Sequence, residues 1–286
     1  MKINFDHEEL RKKYNPEGSA VREAQLRMLD ILVYISELCE NNGLRYWLAG
    51  GTLLGAYRHA GFIPWDDDLD IEMPLEDMIK LKKIMLENPS KDYIFQDHST
   101  DPYYFYSYSK IRDTHSLCES DSPDERFFKY KGVWVDIFPL EEHSIKMQKL
   151  SFYTNSYGRR FLVYSKFPLL RFLALTRYYL NYKLLFPTLR FIAHLLPSSK
   201  GCYNKTLGCE YFYSQKKCDI FPLSKISFEG LVFNAPCNPE KALTSFYGPD
   251  FMCLPSEQNR TTHQINVKYI ETVSYTHLTL PTICSV

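Results

Sequence analysis

The stretch that decides the fold of this chain is residues 47–73, WLAGGTLLGAYRHAGFIPWDDDLDIEM. The run Arg45–Ala49 predicts a short strand that ends at the glycine pair Gly50-Gly51. Thr52–His59 predicts a short helix, and the alternation in Leu69–Met73 predicts a second strand. The order is therefore strand, glycine turn, helix and acidic strand.

The glycine turn has the features of a phosphate-binding turn. Gly50 and Gly51 let the backbone approach a ligand closely, and the N-terminus of the following helix offers free N–H groups and a positive dipole end. Thr52 adds a hydroxyl group at the same place. A glycine pair alone indicates no more than a turn, so its meaning depends on the residues that follow.

Three aspartates beyond the turn predict a site for a divalent cation. Asp68 and Asp70 are two residues apart on the predicted strand, so their side chains leave one face about 7 Å apart. Asp136 stands in an apolar strand, where an aspartate is costly unless it is paired or metal-bound. Mg²⁺ typically takes one or two carboxylates together with substrate phosphates. Singly, a solvated acidic loop or a buried ion pair would explain these residues, but their conjunction with the glycine turn indicates catalysis.

The remaining pattern predicts an α/β (α+β) fold, a mixed sheet with flanking helices. Helices are predicted at 18–42 and 75–86, and strands at 93–96, 103–111 and 133–138, the last closed by Pro139. We expect a catalytic core at 1–142, a basic aromatic helical segment at 143–200 and a C-terminal part at 201–273 that completes the domain. The residues 274–286, SYTHLTLPTICSV, resemble translated sequencing-adaptor read-through rather than native protein.

The composition predicts a folded cytoplasmic protein. Apolar residues make up 45% and charged residues 24% of the 286 positions, as in ordinary globular proteins. We find no signal peptide and no segment that reaches the ~18 apolar residues of a membrane-spanning helix. The eight cysteines form no CxxC pair, so we expect reduced thiols rather than a zinc site.

The basic segment predicts contact with an anionic surface. Between His143 and Cys209 there are eleven Lys or Arg residues and no acidic residue. The segment is helical in pattern, broken at Pro168 and Pro187, and its basic residues do not gather on one narrow helical face. We expect peripheral attachment to the inner face of an anionic membrane. The alternative is a helical cap that pairs with the acidic core; no nucleic-acid-binding motif is present.

Three blocks of this sequence resemble the LicD family of phosphotransferases, which includes bacterial phosphocholine transferases and, more distantly, fukutin-type ribitol-phosphate transferases. The first block is GGTLLGAYRHAGFIPWDDDLDI, the second KGVWVDIFPL at 131–140, and the third YGPDFM at 247–252 with Leu254-Pro255, Arg260 and His263. The resemblance runs from about residue 20 to 265 with a variable middle. It implies a nucleotidyltransferase fold with a phosphate turn at Gly50-Gly51.

The resemblance also implies the chemistry of the site. Asp68, Asp70 and Asp136 would hold Mg²⁺ or Mn²⁺, with Asp66 assisting, for two-metal phosphoryl transfer. The donor would be CDP-choline or another CDP-alcohol, and the acceptor a cell-surface glycan such as lipopolysaccharide or teichoic acid, or its lipid-linked precursor. Asp136 is the candidate base. Further candidate contacts to the donor are Arg58, His59, Lys110 and Arg112, each of which also fits a structural or surface position.

Two other functions remain open from the sequence. The same carboxylates would serve a nucleotidyltransferase that attaches a nucleotide monophosphate to a small molecule or protein. A glycan- or membrane-binding module with a vestigial site is disfavoured, because all three expected carboxylates are present.

Overall fold

The computed structural model describes residues 6–119, 125, 127–196, 200–260 and 266–269, except for the side chains of residues 119, 157–164, 266 and 269. The predicted adaptor-like tail at 274–286 and His263 lie outside these residues.

Helices and strands alternate irregularly along the chain, as the sequence predicts. The helices are α1 His7–Tyr14, α2 Ala20–Asn41, α3 Gly50–His59, α4 Leu75–Glu87, α5 Ile145–Tyr164, α6 Pro168–Leu180, α7 Phe186–Leu195, α8 Lys217–Ile220 and α9 Pro239–Tyr247. The strands are β1 Trp47–Leu48, β2 Asp70–Pro74, β3 Tyr93–Gln96, β4 Ser109–Asp113, β5 Ser116–Glu119, β6 Trp134–Glu141, β7 Cys202–Lys205, β8 Ser214–Lys216, β9 Ser224–Phe228, β10 Leu231–Ala235 and β11 Asn266–Tyr269.

The long helix α2 forms where the sequence predicts it. Ser19 caps its N-terminus, since its side-chain oxygen accepts the N–H of Arg22 at 3.2 Å. One stripe of the helix is fully buried in the main core: Met28, Ile31, Leu32 and Ile35. The helix therefore covers one face of the sheet and leaves the opposite face for the site.

Seven of the described strands form one mixed sheet, which confirms the predicted α+β class. Five lie in the order β1-β2-β6-β4-β3, with β2 parallel to β6 and the other neighbours antiparallel. Strand β7 pairs with the end of β6, and β8 pairs with β7. The residues after 200 thus extend the sheet that carries the aspartates.

Two strand predictions were wrong at one end. The predicted strand at 103–111 begins only at Ser109, because Tyr104 and Phe105 pack with α6 in a separate aromatic cluster instead of pairing with a strand. The strand predicted to stop at Pro139 continues to Glu141. Proline removes only a donor, and the carbonyl of Pro139 still accepts the N–H of Thr206 at 2.9 Å.

The acidic strand also starts later than predicted. Strand β2 begins at Asp70, so Asp68 lies in the loop before it and does not share a strand face with Asp70. Helix α3 begins at Gly50 rather than at Thr52, so the glycine pair forms its first turn.

The predicted break at Pro187 is absent, whereas Pro168 does start a helix. Helix α6 continues into α7 through a π-helical turn at Asn181–Leu185, in which the N–H of Phe186 donates to the carbonyl of Asn181. This wider turn accommodates a proline that cannot donate to the carbonyl four residues earlier. Within the described ranges, no helix is both long and apolar enough to cross a bilayer.

Candidate active site

The three predicted catalytic aspartates meet in one pocket. Asp70 on β2 and Asp136 on β6 stand opposite each other in the parallel register. Both line a pocket of about 130 Å³, together with Asp68 and the backbone of Ala49 and Gly50. The sheet therefore brings together residues that are 66 positions apart in the sequence, from 70 to 136.

The glycine pair makes room for carboxylates. Gly50 has φ +51°, and a Cβ atom there would stand 2.8 Å from Oδ2 of Asp70. A Cβ atom at Gly51 would stand 2.7 Å from Oδ2 of Asp66. Both distances are shorter than van der Waals contact, so the space that a side chain would take at each glycine is occupied by the carboxylate of Asp70 or Asp66.

Thr52 has a positioning role in this structure. Its Oγ1 accepts the N–H of Asp70 at 2.8 Å, and the residue is buried. The hydroxyl thereby ties the start of β2 to the first turn of α3 and fixes where the Asp70 backbone enters the pocket.

Like charges and burial shape the electrostatics of the pocket. Burial, followed by the charges of Asp68 and Asp136, raises the pKa of Asp70 well above its ordinary value. Burial also raises the pKa of Asp66, and the charge of Asp68 and a hydrogen bond to it act in the same direction. Burial and mutual repulsion thus disfavour the ionised forms of these carboxyl groups, and a bound cation would relieve that repulsion.

Lys110 lies beside the site and contacts Asp136 directly. Its Nζ is 2.7 Å from Oδ1 of Asp136, while Nε1 of Trp134 donates to Oδ2 of Asp136 at 3.1 Å. Burial lowers the pKa of Lys110, and the charge of Asp136 opposes that effect. These contacts fix the orientation of the Asp136 carboxylate, so Lys110 is a neighbour of the site through Asp136.

Arg112, the other predicted phosphate contact on β4, is occupied elsewhere. Its Nε donates to Oε1 of Gln96 at 2.5 Å and its guanidinium donates to the carbonyl of Gly132 at 2.8 Å. The side chain is buried and does not line the pocket. It holds strands and loops together at the edge of the sheet.

Arg58 and His59 are also placed away from the pocket lining. Arg58 donates to the carbonyls of Phe251 and Cys253, at 2.9 and 3.0 Å. Burial lowers the pKa of Arg58 to about 10, and burial together with the Arg58 charge lowers the pKa of His59 to about 3. Arg58 thereby anchors the segment after α9 to helix α3.

An aromatic wall completes the pocket, and the sequence analysis did not identify it. The wall consists of Tyr108, Phe138, Tyr211, Tyr213 and Phe246. Lys205 lies among these rings, with its Nζ 3.9 Å from the ring centroid of Phe138 and 5.5 Å from that of Tyr213. The same Nζ is 2.8 Å from Oε1 of Glu72. Carboxylates, aromatic faces and one lysine therefore share a single cavity.

Comparisons with known proteins identify the family. Residues 43–177 match the family model described as "LicD/FKTN/FKRP, nucleotidyltransferase domain". The lipopolysaccharide cholinephosphotransferase LicD of Haemophilus influenzae is 28% identical over 275 residues, which cover 87% of this chain and 98% of that protein. Residues 43–177 therefore form a LicD-type domain. It is also 53% identical over 45 residues to the human ribitol 5-phosphate transferase FKRP, covering 16% of this chain and 9% of that protein.

The LicD-type domain and the similarity to the Haemophilus protein over most of the chain support a LicD-like phosphotransferase. The residues matched by the LicD family model contain the glycine turn and all three aspartates of the pocket. Lys205, Tyr211, Tyr213 and Phe246 lie beyond them. No spacing rule connects these residues to the acidic strand. The pairing of β7 with β6 and of β8 with β7 brings Lys205, Tyr211 and Tyr213 to it, and Phe246 reaches the pocket from helix α9. The high tyrosine content of the sequence, 22 residues, is compatible with an aromatic pocket but does not indicate which rings line it.

Proposed function

We propose that this protein transfers a phospho-alcohol group from a CDP-linked donor to a glycan. Phosphocholine is the phospho-alcohol that we favour. The observation that carries the proposal is that three carboxylates and five aromatic rings line the same pocket. A CDP-alcohol carries two phosphates, and the alcohol is attached to the outer one, so the phosphates and the alcohol can contact different sides of a pocket. The acidic side of the pocket suits a cation that binds the phosphates, and the aromatic side suits the alcohol.

Asp68, Asp70 and Asp136 would hold Mg²⁺ or Mn²⁺, with Asp66 beside them. They are hard oxygen ligands, and Asp70 and Asp136 face each other on adjacent strands. Among the described residues, no three Asp, Glu, His or Cys side chains already stand close enough to enclose an ion. Phosphate oxygens of the donor would supply part of the coordination, as is usual for Mg²⁺. When bound, the ion neutralises negative charge on the donor phosphates.

The aromatic wall favours choline as the alcohol. A quaternary ammonium group is recognised through the faces of tyrosine, tryptophan and phenylalanine rings. In this pocket the ammonium group of Lys205 already lies over Phe138, at 3.9 Å from the ring centroid. The pocket thus already holds one positive charge against an aromatic face, and we propose that the remaining rings receive the trimethylammonium group.

In the proposed reaction a hydroxyl group of the acceptor attacks the phosphorus atom that bears the choline. The bond from that phosphorus to the oxygen bridging the two phosphates breaks, and CMP leaves with the electron pair. The hydroxyl proton passes to Asp136, whose carboxylate is held by Lys110 and Trp134. The base function of Asp136 rests on its position in the pocket.

The acceptor is proposed to be a cell-surface glycan or its lipid-linked precursor. The related Haemophilus protein is named for action on lipopolysaccharide. A second cavity of about 550 Å³ lies on the other side of Tyr108, which lines both cavities. It combines apolar groups from α4 with Lys82, His98 and Tyr182, a mixture that suits the faces and hydroxyl groups of a sugar.

Calorimetric titration of the full chain with CDP-choline, CDP-ribitol, CDP-glycerol, CTP and ATP, with and without Mg²⁺, tests the donor. We expect metal-dependent binding of CDP-choline that is lost in Asp68→Asn/Asp70→Asn. Tight binding of a plain triphosphate, with no CDP-alcohol preferred, would contradict the proposal and favour nucleotidyl transfer.

A further inference from the structure

The helical stretch from α6 to α7 carries an unusual outward face. It holds large apolar side chains that are between 40% and 69% exposed: Phe167, Leu169, Phe172, Leu173, Tyr179, Leu180, Leu184, Phe191, Ile192, Leu195 and Leu196. Exposed apolar residues on a soluble monomer are normally scattered singly, whereas a contiguous set marks a site of interaction. We call this set the outward apolar face.

The opposite side of the same helices is buried in the protein. Ala174, Tyr178, Phe186, Leu189 and Ala193 form the inner stripe. The π-helical turn at Asn181–Leu185 shifts the helical phase between the two halves of this stripe. A regular helical wheel misses this shift, which is one reason why the sequence analysis found no clean amphipathic helix. In the structure, α6, the turn and α7 together form one two-sided element about 42 Å long.

The charged residues around the outward apolar face, between residues 143 and 209, are all basic. No acidic residue occurs between His143 and Cys209, and exposed basic groups stand beside the outward apolar face at Lys166, Arg177 and Lys183. Association of two copies through this face would bring like charges together, which is costly. An anionic lipid surface instead takes apolar side chains into its interface and attracts the basic ones.

We propose that the outward apolar face of α6 and α7 docks on an anionic membrane surface. The helices would lie along the membrane surface without crossing the bilayer, because one side of them is buried in the protein and only the other side is exposed. Their inner stripe packs on the segment before β4, where the hydroxyl of Tyr178 donates to the carbonyl of Tyr106 at 3.5 Å. That segment continues to Tyr108, which lines the candidate active site. Docking therefore places a wall of the catalytic pocket close to the lipid headgroups.

Flotation of the full-length protein with vesicles tests this proposal without any assay of activity. Vesicles of phosphatidylcholine with phosphatidylglycerol are compared with vesicles of phosphatidylcholine alone. The test variant is Phe172→Ser/Leu184→Ser/Phe191→Ser. The matched control is Ile79→Ser/Leu86→Ser/Val232→Ser, which removes three apolar side chains of similar exposure, 56%, 54% and 61%, from other surfaces. Thermal melts confirm that both variants are folded.

We expect the wild type and the control to float with the anionic vesicles, and the partition coefficient of the test variant to fall by more than about tenfold. Higher salt and vesicles of phosphatidylcholine alone should both weaken binding. Wild-type protein that stays with the soluble fraction overturns the proposal, as does a test variant that floats like the control. If the wild type is a dimer in solution, the test variant is a monomer and neither floats, the face mediates self-association and the membrane proposal is wrong.

Discussion

Replacement of Gly50 by alanine perturbs the carboxylate site without removing any charged group. The backbone of Gly50 is left-handed, with φ +51°, and this conformation costs a residue with a Cβ atom about 1–2 kcal/mol. The new Cβ atom would also lie 2.8 Å from Oδ2 of Asp70, which has to retreat to the ordinary contact distance of at least 3.4 Å. The substitution therefore has two separable effects, one on stability and one on the position of the Asp70 carboxylate, a proposed catalytic group.

We expect Gly50→Ala to lower the free energy of unfolding by about 1–2 kcal/mol. Phosphotransfer should fall by about 10-fold, because Oδ2 of Asp70 is displaced by about 0.6 Å and a misplacement of about 1 Å can cost about 100-fold. Urea unfolding measures the first effect, and the rate of CMP release under saturating donor measures the second.

Two other glycines provide matched controls. Gly43 has φ +62° with nothing within 4 Å of its Cβ position, so Gly43→Ala should lose the same stability and keep full activity. Gly51 lacks the left-handed backbone, but its Cβ atom would lie 2.7 Å from Oδ2 of Asp66, so Gly51→Ala should lose activity with a smaller loss of stability. Full activity in Gly50→Ala, or an equal loss in Gly43→Ala, would refute the reasoning.

Three further predictions concern the pocket wall, the buried ion pair and pH. Phe246→Leu should raise the KM for CDP-choline about fivefold, which is the value of one cation–π contact, and leave the KM for CDP-glycerol nearly unchanged. Equal changes for both donors would contradict the proposal that the aromatic wall binds choline. Lys110→Met leaves Asp136 buried without its partner, so the free energy of unfolding should fall by about 3 kcal/mol, and Mg²⁺ should raise the Tm of this variant more than that of the wild type. Burial lowers the pKa of His59 to about 3 and the pKa of His98 to about 4. As the pH falls below 6.5, these two histidines therefore take up protons in the unfolded protein before they do so in the folded protein. Stability should thus drop between pH 7 and pH 5, with each histidine contributing about 2 kcal/mol; urea unfolding of His98→Phe should show a drop smaller by that amount, and an unchanged drop would contradict the burial of a neutral histidine.

The local elements of the core were predictable because their signals are local. The amphipathic pattern of α2 and the alternation around Asp70 both act within a few residues; α2 forms where it was predicted, and β2 forms one residue later than predicted. The same holds for the glycine turn, whose close contacts follow from the absence of a side chain at Gly50.

The parts that could not be predicted depend on pairing between distant strands. The approach of Asp70 to Asp136 follows from the parallel register of β2 and β6, which no spacing encodes. Lys205 reaches the pocket only because β7 adds to the end of β6, beyond the proline that was expected to close that strand. Arg58, expected at the donor, is instead held by carbonyl groups nearly 200 positions away in the chain.

The products of the reaction test the central claim most directly. The full chain is incubated with CDP-choline, Mg²⁺ and a panel of glycan acceptors, and the released nucleotide and the mass of the acceptor are measured together. The account predicts release of CMP and an acceptor that gains phosphocholine, with neither product formed by Asp68→Asn/Asp70→Asn. Release of pyrophosphate from CTP with a nucleotide attached to the acceptor, and no consumption of any CDP-alcohol, would contradict it.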